Sequence, residues 1–100
     1  MLSVYPACFI KEKTGYSVIF PDLNYLATCG DTLDVAFTMA VDCLAGHLYL
    51  LQKEGKMAPD ASPLNTIDPA KVAEELEVTY DEAFVNMITV DVAEYAKNNF

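Results

Sequence analysis

Apolar and polar positions keep a short period over the first thirty residues. Leu2 to Lys11 is rich in apolar and aromatic residues, has Pro6 inside it, and is followed by the turn signal Lys13-Thr14-Gly15. Proline removes a ladder donor, so this strand is expected at an edge or to carry a bulge. Tyr16, Val18 and Phe20 then fall on one face at the two-residue period of a strand. Pro21-Asp22-Leu23-Asn24 is a second turn, Tyr25 to Cys29 a short third strand, and Gly30 its end. Strands joined by such short loops predict an antiparallel meander.

After Gly30 the period becomes helical. Asp31 or Thr32 can cap a helix, and Asp34 suits its first turn through the macrodipole. Leu33, Phe37, Ala40, Leu44, Leu48 and Leu51 recur at steps of three or four, which makes one helical stripe. Gly55 follows Lys53 as a C′ residue, so the helix is expected over Thr32–Glu54. At about 100° per residue, Asp34, Thr38, Asp42, Tyr49 and Gln52 share one polar wedge. Val35, Met39, Cys43 and Leu50 form a second apolar flank, away from the leucine stripe. A helix lying on one sheet needs only one apolar stripe. Either residues 56–100 cover the second flank or another subunit or partner does. These four residues are therefore the candidate oligomer interface, pointing to a homodimer or higher oligomer.

Residues 56–67 carry Pro59 and Pro63 and read as a surface loop. Asp68-Pro69 is an N-cap and N1 pair, opening a short helix over Asp68–Leu76. Ala83–Val92 is β-branched and apolar, as a strand should be. Ala93–Phe100 fits a frayed helix or a tail. The order is β-β-β-α-β with one additional short helix, an α+β fold in a single domain of residues 1–100.

Composition narrows the function. A hydrophobic share of 53% is too high for disorder. Fifteen acidic residues face six lysines, with no arginine. Nine of the acids and two of the lysines lie in residues 60–100. Gripping nucleic acid requires Lys and Arg to displace counterions, so a basic protein partner fits better than DNA or RNA. Glu74, Glu75, Glu77, Asp81 and Glu82 are the candidate contact, unless they only solvate the surface.

Catalytic equipment is sparse. His47 is the lone histidine and lies in the apolar part of the helix, one turn after Cys43. A nucleophile–base pair would also need an orienting carboxylate and a route for substrate. Asp22, Asp91 and Glu94 lie near strand ends, but nothing in their spacing makes them converge on a metal. No catalytic or metal-binding residues and no cofactor are assigned, and no enzymatic activity is expected. Cys8, Cys29 and Cys43 lack CxxC spacing and read as small buried hydrophobes. Reduced cysteines imply a cytoplasmic setting. The N-terminus has no signal-peptide pattern, and Asp34, Asp42 and His47 within Leu33–Leu51 argue against a membrane span.

The run YPACFIKEKTGYSVIFPDLNYLATCGDTLDVAFTMAVDCL resembles the HicB-like antitoxins. Its pattern is a Tyr-Pro start, Gly-Tyr before a strand ending Phe-Pro-Asp-Leu, then Cys-Gly-Asp-Thr and a helix with regularly spaced alanines. FVNMITVDVAEYAK resembles that family's last strand and exit. The resemblance implies a partial RNase H-like fold without nuclease activity. It also implies a partner: HicA, a small basic toxin that resembles a double-stranded-RNA-binding domain and cleaves mRNA. The antitoxin would neutralise it by covering its active surface. Many such proteins carry a C-terminal DNA-binding segment, which is not evident here, so no direct DNA binding is expected. Two other functions compete: an RNA-binding or regulatory protein without a toxin, using Tyr5, Tyr16, Tyr25, Phe9 and Phe20 as a platform, and a degenerate metal nuclease using Asp22 and Asp91.

Overall fold

The computed structural model describes residues 1–100. In chain order they form β1 (Ser3–Glu12), β2 (Gly15–Phe20), β3 (Leu26–Gly30), α1 (Leu33–Lys53), α2 (Pro69–Glu75), β4 (Glu82–Val90) and α3 (Val92–Asn99). The strands make one antiparallel sheet in the order β3-β2-β1-β4. This is the expected α+β arrangement, with helices on both faces of the sheet.

β1 is buried without a break from Tyr5 to Ile10. Successive strand residues point to opposite faces, so the run feeds two cores. Tyr5, Ala7 and Phe9 pack with Ala36, Ala40, Leu44, Ala45 and Leu48 of α1. Cys8 and Ile10 pack on the other face with Ile19 of β2 and with Val72 and Ala73 of α2.

The expectation of an edge strand or bulge at Pro6 requires correction, because β1 is central and its register is unbroken. The pairing of β2 with β1 begins only at Cys8. At Pro6 the strand therefore has a single neighbour, Met87 of β4, and the proline removes no donor from the β1–β2 ladder.

Thr32 caps α1, accepting from the Val35 N–H at 3.4 Å. The helix ends in a Schellman pattern: the Lys56 N–H donates to Leu51 and the Gly55 N–H to Gln52, with Gly55 at φ 70°. The buried face is led by Ala36, and Leu33 stays 40% exposed. The leucine stripe thus misplaced the first turn, because small residues let the helix approach the end of β3 closely. By length and composition α1 could cross a membrane, but its alanine face is covered by the sheet.

β4 stops two residues short of the expected Val92. Asp91 caps α3 instead, accepting from the Glu94 N–H at 3.1 Å. The new helix packs on the polar wedge of α1. Tyr95 donates to Asp42 at 2.8 Å, and the Phe100 ring lies 5.1 Å from that of Tyr49. The segment from Leu64 to Tyr80 covers the opposite face of the sheet. Residues 56–100 therefore leave the second apolar flank of α1 open, with Val35 44%, Met39 38% and Leu50 56% exposed. Cys43 is half-buried beside it, its Sγ 3.9 Å from the Ala27 carbonyl.

The cysteines differ more than their sequence pattern suggests. Cys8 is fully buried and Cys29 is exposed. Burial pushes the Cys8 thiol from an ordinary 9.0 up to about 11. The unfolded chain then loses this proton at lower pH than the folded one. The stabilisation is complete below pH 9 and is lost as pH rises toward 11. A thiol reagent at neutral pH should label Cys29 at once and Cys8 only as fast as the chain unfolds. Rapid native labelling at Cys8 would contradict its placement between the sheet and α2.

Candidate protein-binding site

The acidic segment is held in place by α2. Asp68 caps this helix, accepting from the Ala70 and Lys71 N–H groups at 3.0 and 3.4 Å. Pro69 supplies the pre-set first turn. With Val72 and Ala73 anchored against the sheet, Glu74 and Glu75 stay on the outside. Glu77 turns the chain in a left-handed conformation at φ 57°, and the Val78 N–H returns to Ala73 at 3.1 Å. The Asp81 N–H donates to the Lys11 carbonyl at 2.8 Å, which starts the pairing of β4, with Glu82 opposite Lys11.

All five acids are exposed, and none takes part in an ion pair. They follow one another from the end of α2 into β4. Four keep their carboxylates free of hydrogen bonds within the chain. Glu75 instead accepts from the Tyr25 hydroxyl, tying α2 to the start of β3 and raising the tyrosine's pKa. Sequence reasoning missed this partner, and also the one lysine at the border. Asp81 lines a cleft of about 420 Å³ with Lys13, Glu12, Thr14 and Thr79. Cross-strand register brings these groups together, and no local motif marks it.

The candidate catalytic groups are dispersed. His47 is half-buried and lines a separate cleft of about 420 Å³ with Leu23, Leu51, Asp22, Asn24, Lys56 and Met57. The Cys43 thiol is directed at the β3 backbone, and no hydrogen bond joins it to His47. Asp22 accepts from the Ser62 N–H and hydroxyl, both at 2.7 Å, and so fastens the long loop. Asp91 caps α3 and pairs with the Met1 amine at 3.1 Å, while Glu94 pairs with Lys97 at 3.7 Å. No three His, Cys, Asp or Glu residues converge as a metal site would require.

This fold has relatives. Residues 5–99 match the family described as HicB-like antitoxin of bacterial toxin-antitoxin system. The chain belongs to that family. A toxin–antitoxin complex from Streptococcus pneumoniae contains a similar chain, 34% identical with a TM-score of 0.82 over 95% of this chain and 73% of that one. The HicA3 and HicB3 toxin-antitoxin complex contains another, 23% identical with a TM-score of 0.67 over 89% of this chain and 99% of that one, a likeness of fold. Antitoxin HicB 2 of Photorhabdus laumondii is 45% identical over 40 residues, which are 40% of this chain and 29% of that protein. The chain spans less than half the length of the curated relatives it matches.

Proposed function

We propose that this antitoxin neutralises a small basic HicA-like toxin by covering the surface with which the toxin cleaves mRNA, and that the acidic strip forms part of the contact. The observation that carries this reading is the strip itself: Glu74, Glu77, Asp81 and Glu82 are exposed, adjacent along the chain and unpaired. A protein that grips RNA must present cations, and opposite patches steer the two proteins together. The likeness to a chain of the Streptococcus pneumoniae complex supports a toxin as the partner. In this reading the chain is a non-enzymatic, partial RNase H-like binding domain that works in the cytoplasm, needs no cofactor and does not itself grip DNA.

Each exposed pair contributes only about 0.2–1 kcal/mol, so the test changes several at once. Reversing Glu74, Glu77, Asp81 and Glu82 to lysine spares the Glu75–Tyr25 bond. Stopped-flow association with the cognate toxin at low salt should slow by about tenfold or more, and its salt dependence should flatten. An unchanged rate, with the fold intact by circular dichroism, would move the contact to another surface.

A further inference from the structure

β4 lies at an edge of the sheet, and no strand pairs with its outer side. Edge strands are normally kept from pairing with other chains by charge, proline, a bulge or shortness. β4 has none of these over most of its length. Ala83–Val90 carries no charged residue and no proline, and the register with β1 runs unbroken from Lys11 opposite Glu82 to Ser3 opposite Val90. The other edge is guarded: β3 spans only Leu26–Gly30, and the Cys43 thiol of α1 donates to its Ala27 carbonyl at 3.9 Å.

The outward backbone groups of β4 can be named. In an antiparallel pair, residues that exchange both backbone bonds with the neighbour alternate with residues whose backbone turns away. Met87 lies opposite Pro6, which has no N–H to give. Its own N–H donates to Asn86 Oδ1 at 3.1 Å and not into the ladder. Met87 therefore faces outward, and Ala83, Val85 and Thr89 share its parity. The exposed Asn86 amide stands where a further strand would bond. We propose that the outer edge of β4 takes up an extended strand of the basic toxin, which extends the sheet; this rests on the toxin reading above.

Charge selects this occupant. β4 starts at the end of the acidic strip, at Asp81 and Glu82, so its edge continues the surface proposed for the toxin. At its far end lie Asp91, paired with the Met1 amine, and Glu94, paired with Lys97. A second copy on this edge would set Glu82 on Glu82 if parallel, and Asp81 and Glu82 toward Asp91 if antiparallel. Like charges opposite one another destabilise a strand pair, and each copy carries a net charge of −9. A toxin strand with a neutral middle, and a lysine or arginine at the end that meets Asp81 and Glu82, avoids this conflict. Main-chain hydrogen bonds along Ala83–Thr89 then supply affinity, and the acids at the start of β4 supply specificity.

Amide exchange of the isotope-labelled chain, followed by NMR with and without the cognate toxin, tests the edge directly. In the free chain Ala83, Val85, Met87 and Thr89 should exchange fast, and Phe84 and Ile88 slowly. In the complex the four outward amides should slow together by about tenfold or more. Thr89→Pro removes one outward N–H without touching the β1 ladder, and the Thr89 side chain is exposed. Its affinity for the toxin should fall by about tenfold, with circular dichroism unchanged. Asn86→Ala uncovers the Met87 N–H and should bind at least as tightly. A toxin that binds while the outward amides keep their free-chain rates would overturn the edge pairing and leave the toxin contact standing. Protection that grows with the concentration of the free chain alone would give the edge to a second copy and overturn the proposal. A wild-type chain that forms no complex with the toxin would overturn both readings.

Discussion

Phe9→Ala should cost about 3–5 kcal/mol and leave a large fraction of the chain unfolded, because a domain of this size is stable by only about 5–15 kcal/mol. Phe9 is fully buried at the centre of β1. Its ring is 4.5 Å from that of Phe37 on α1 and 5.2 Å from that of Phe84 on β4, the latter pair stacked within 4°. Truncation removes contacts among three elements at once and leaves a cavity that the surrounding strands cannot close. Leu33→Ala is the matched control: it also removes apolar atoms, but from a residue already 40% exposed, and should cost well under half as much. Urea midpoints of the two variants decide the matter. Equal shifts would show that Phe9 does not join α1 to β4 through the sheet.

The local features were legible because local chemistry determines them. Thr32 caps α1 with its own hydroxyl, Gly55 ends it at positive φ, and Asp68-Pro69 opens α2. The unbroken apolar run from Tyr5 to Ile10 carried the information that β1 is covered on both sides, since a half-exposed strand would alternate, but Pro6 turned the reading toward an edge strand or a bulge. Placement across long separations was not legible. Tyr95 lies fifty-three positions from Asp42, and their hydrogen bond directs α3 to the polar wedge of α1. A reading by hydrophobicity would send Tyr95 to the apolar flank instead. The acidic strip was visible as composition, but its pairing with Tyr25 and its neighbour Lys13 depend on which strands lie together. Likewise, His47 sits in an apolar stretch of sequence and yet lines a cleft, because the loop at Lys56 to Pro59 returns beside it.

Gly30→Val should destabilise the chain by about 3 kcal/mol or more, and Gly30→Ala by about 1–3 kcal/mol. The cause is space, since Gly30 does not adopt a left-handed backbone. A Cβ there would lie 2.5 Å from the Ala36 nitrogen, 2.8 Å from its Cα and 2.9 Å from the Val35 carbonyl carbon. All three are backbone atoms of the first turns of α1 and cannot rotate aside. Retreat toward β2 is blocked as well, because Gly15 is so close that its own added Cβ would lie 2.6 Å from the Gly30 oxygen. The helix must therefore lift from the sheet, loosening Ala36 and Ala40 from the core and displacing Val35 and Met39 on the outer crest. Gly46→Ala supplies the contrast: its Cβ finds ordinary contact with the Phe100 ring, and alanine favours a helix over glycine by about 1 kcal/mol. Thermal melts at low protein concentration should thus move in opposite directions, down for Gly30→Ala by about 4–8 °C per kcal/mol and level or up for Gly46→Ala. If Gly30→Ala melted no lower than the wild type, the close seating of α1 on the end of β3 would be refuted.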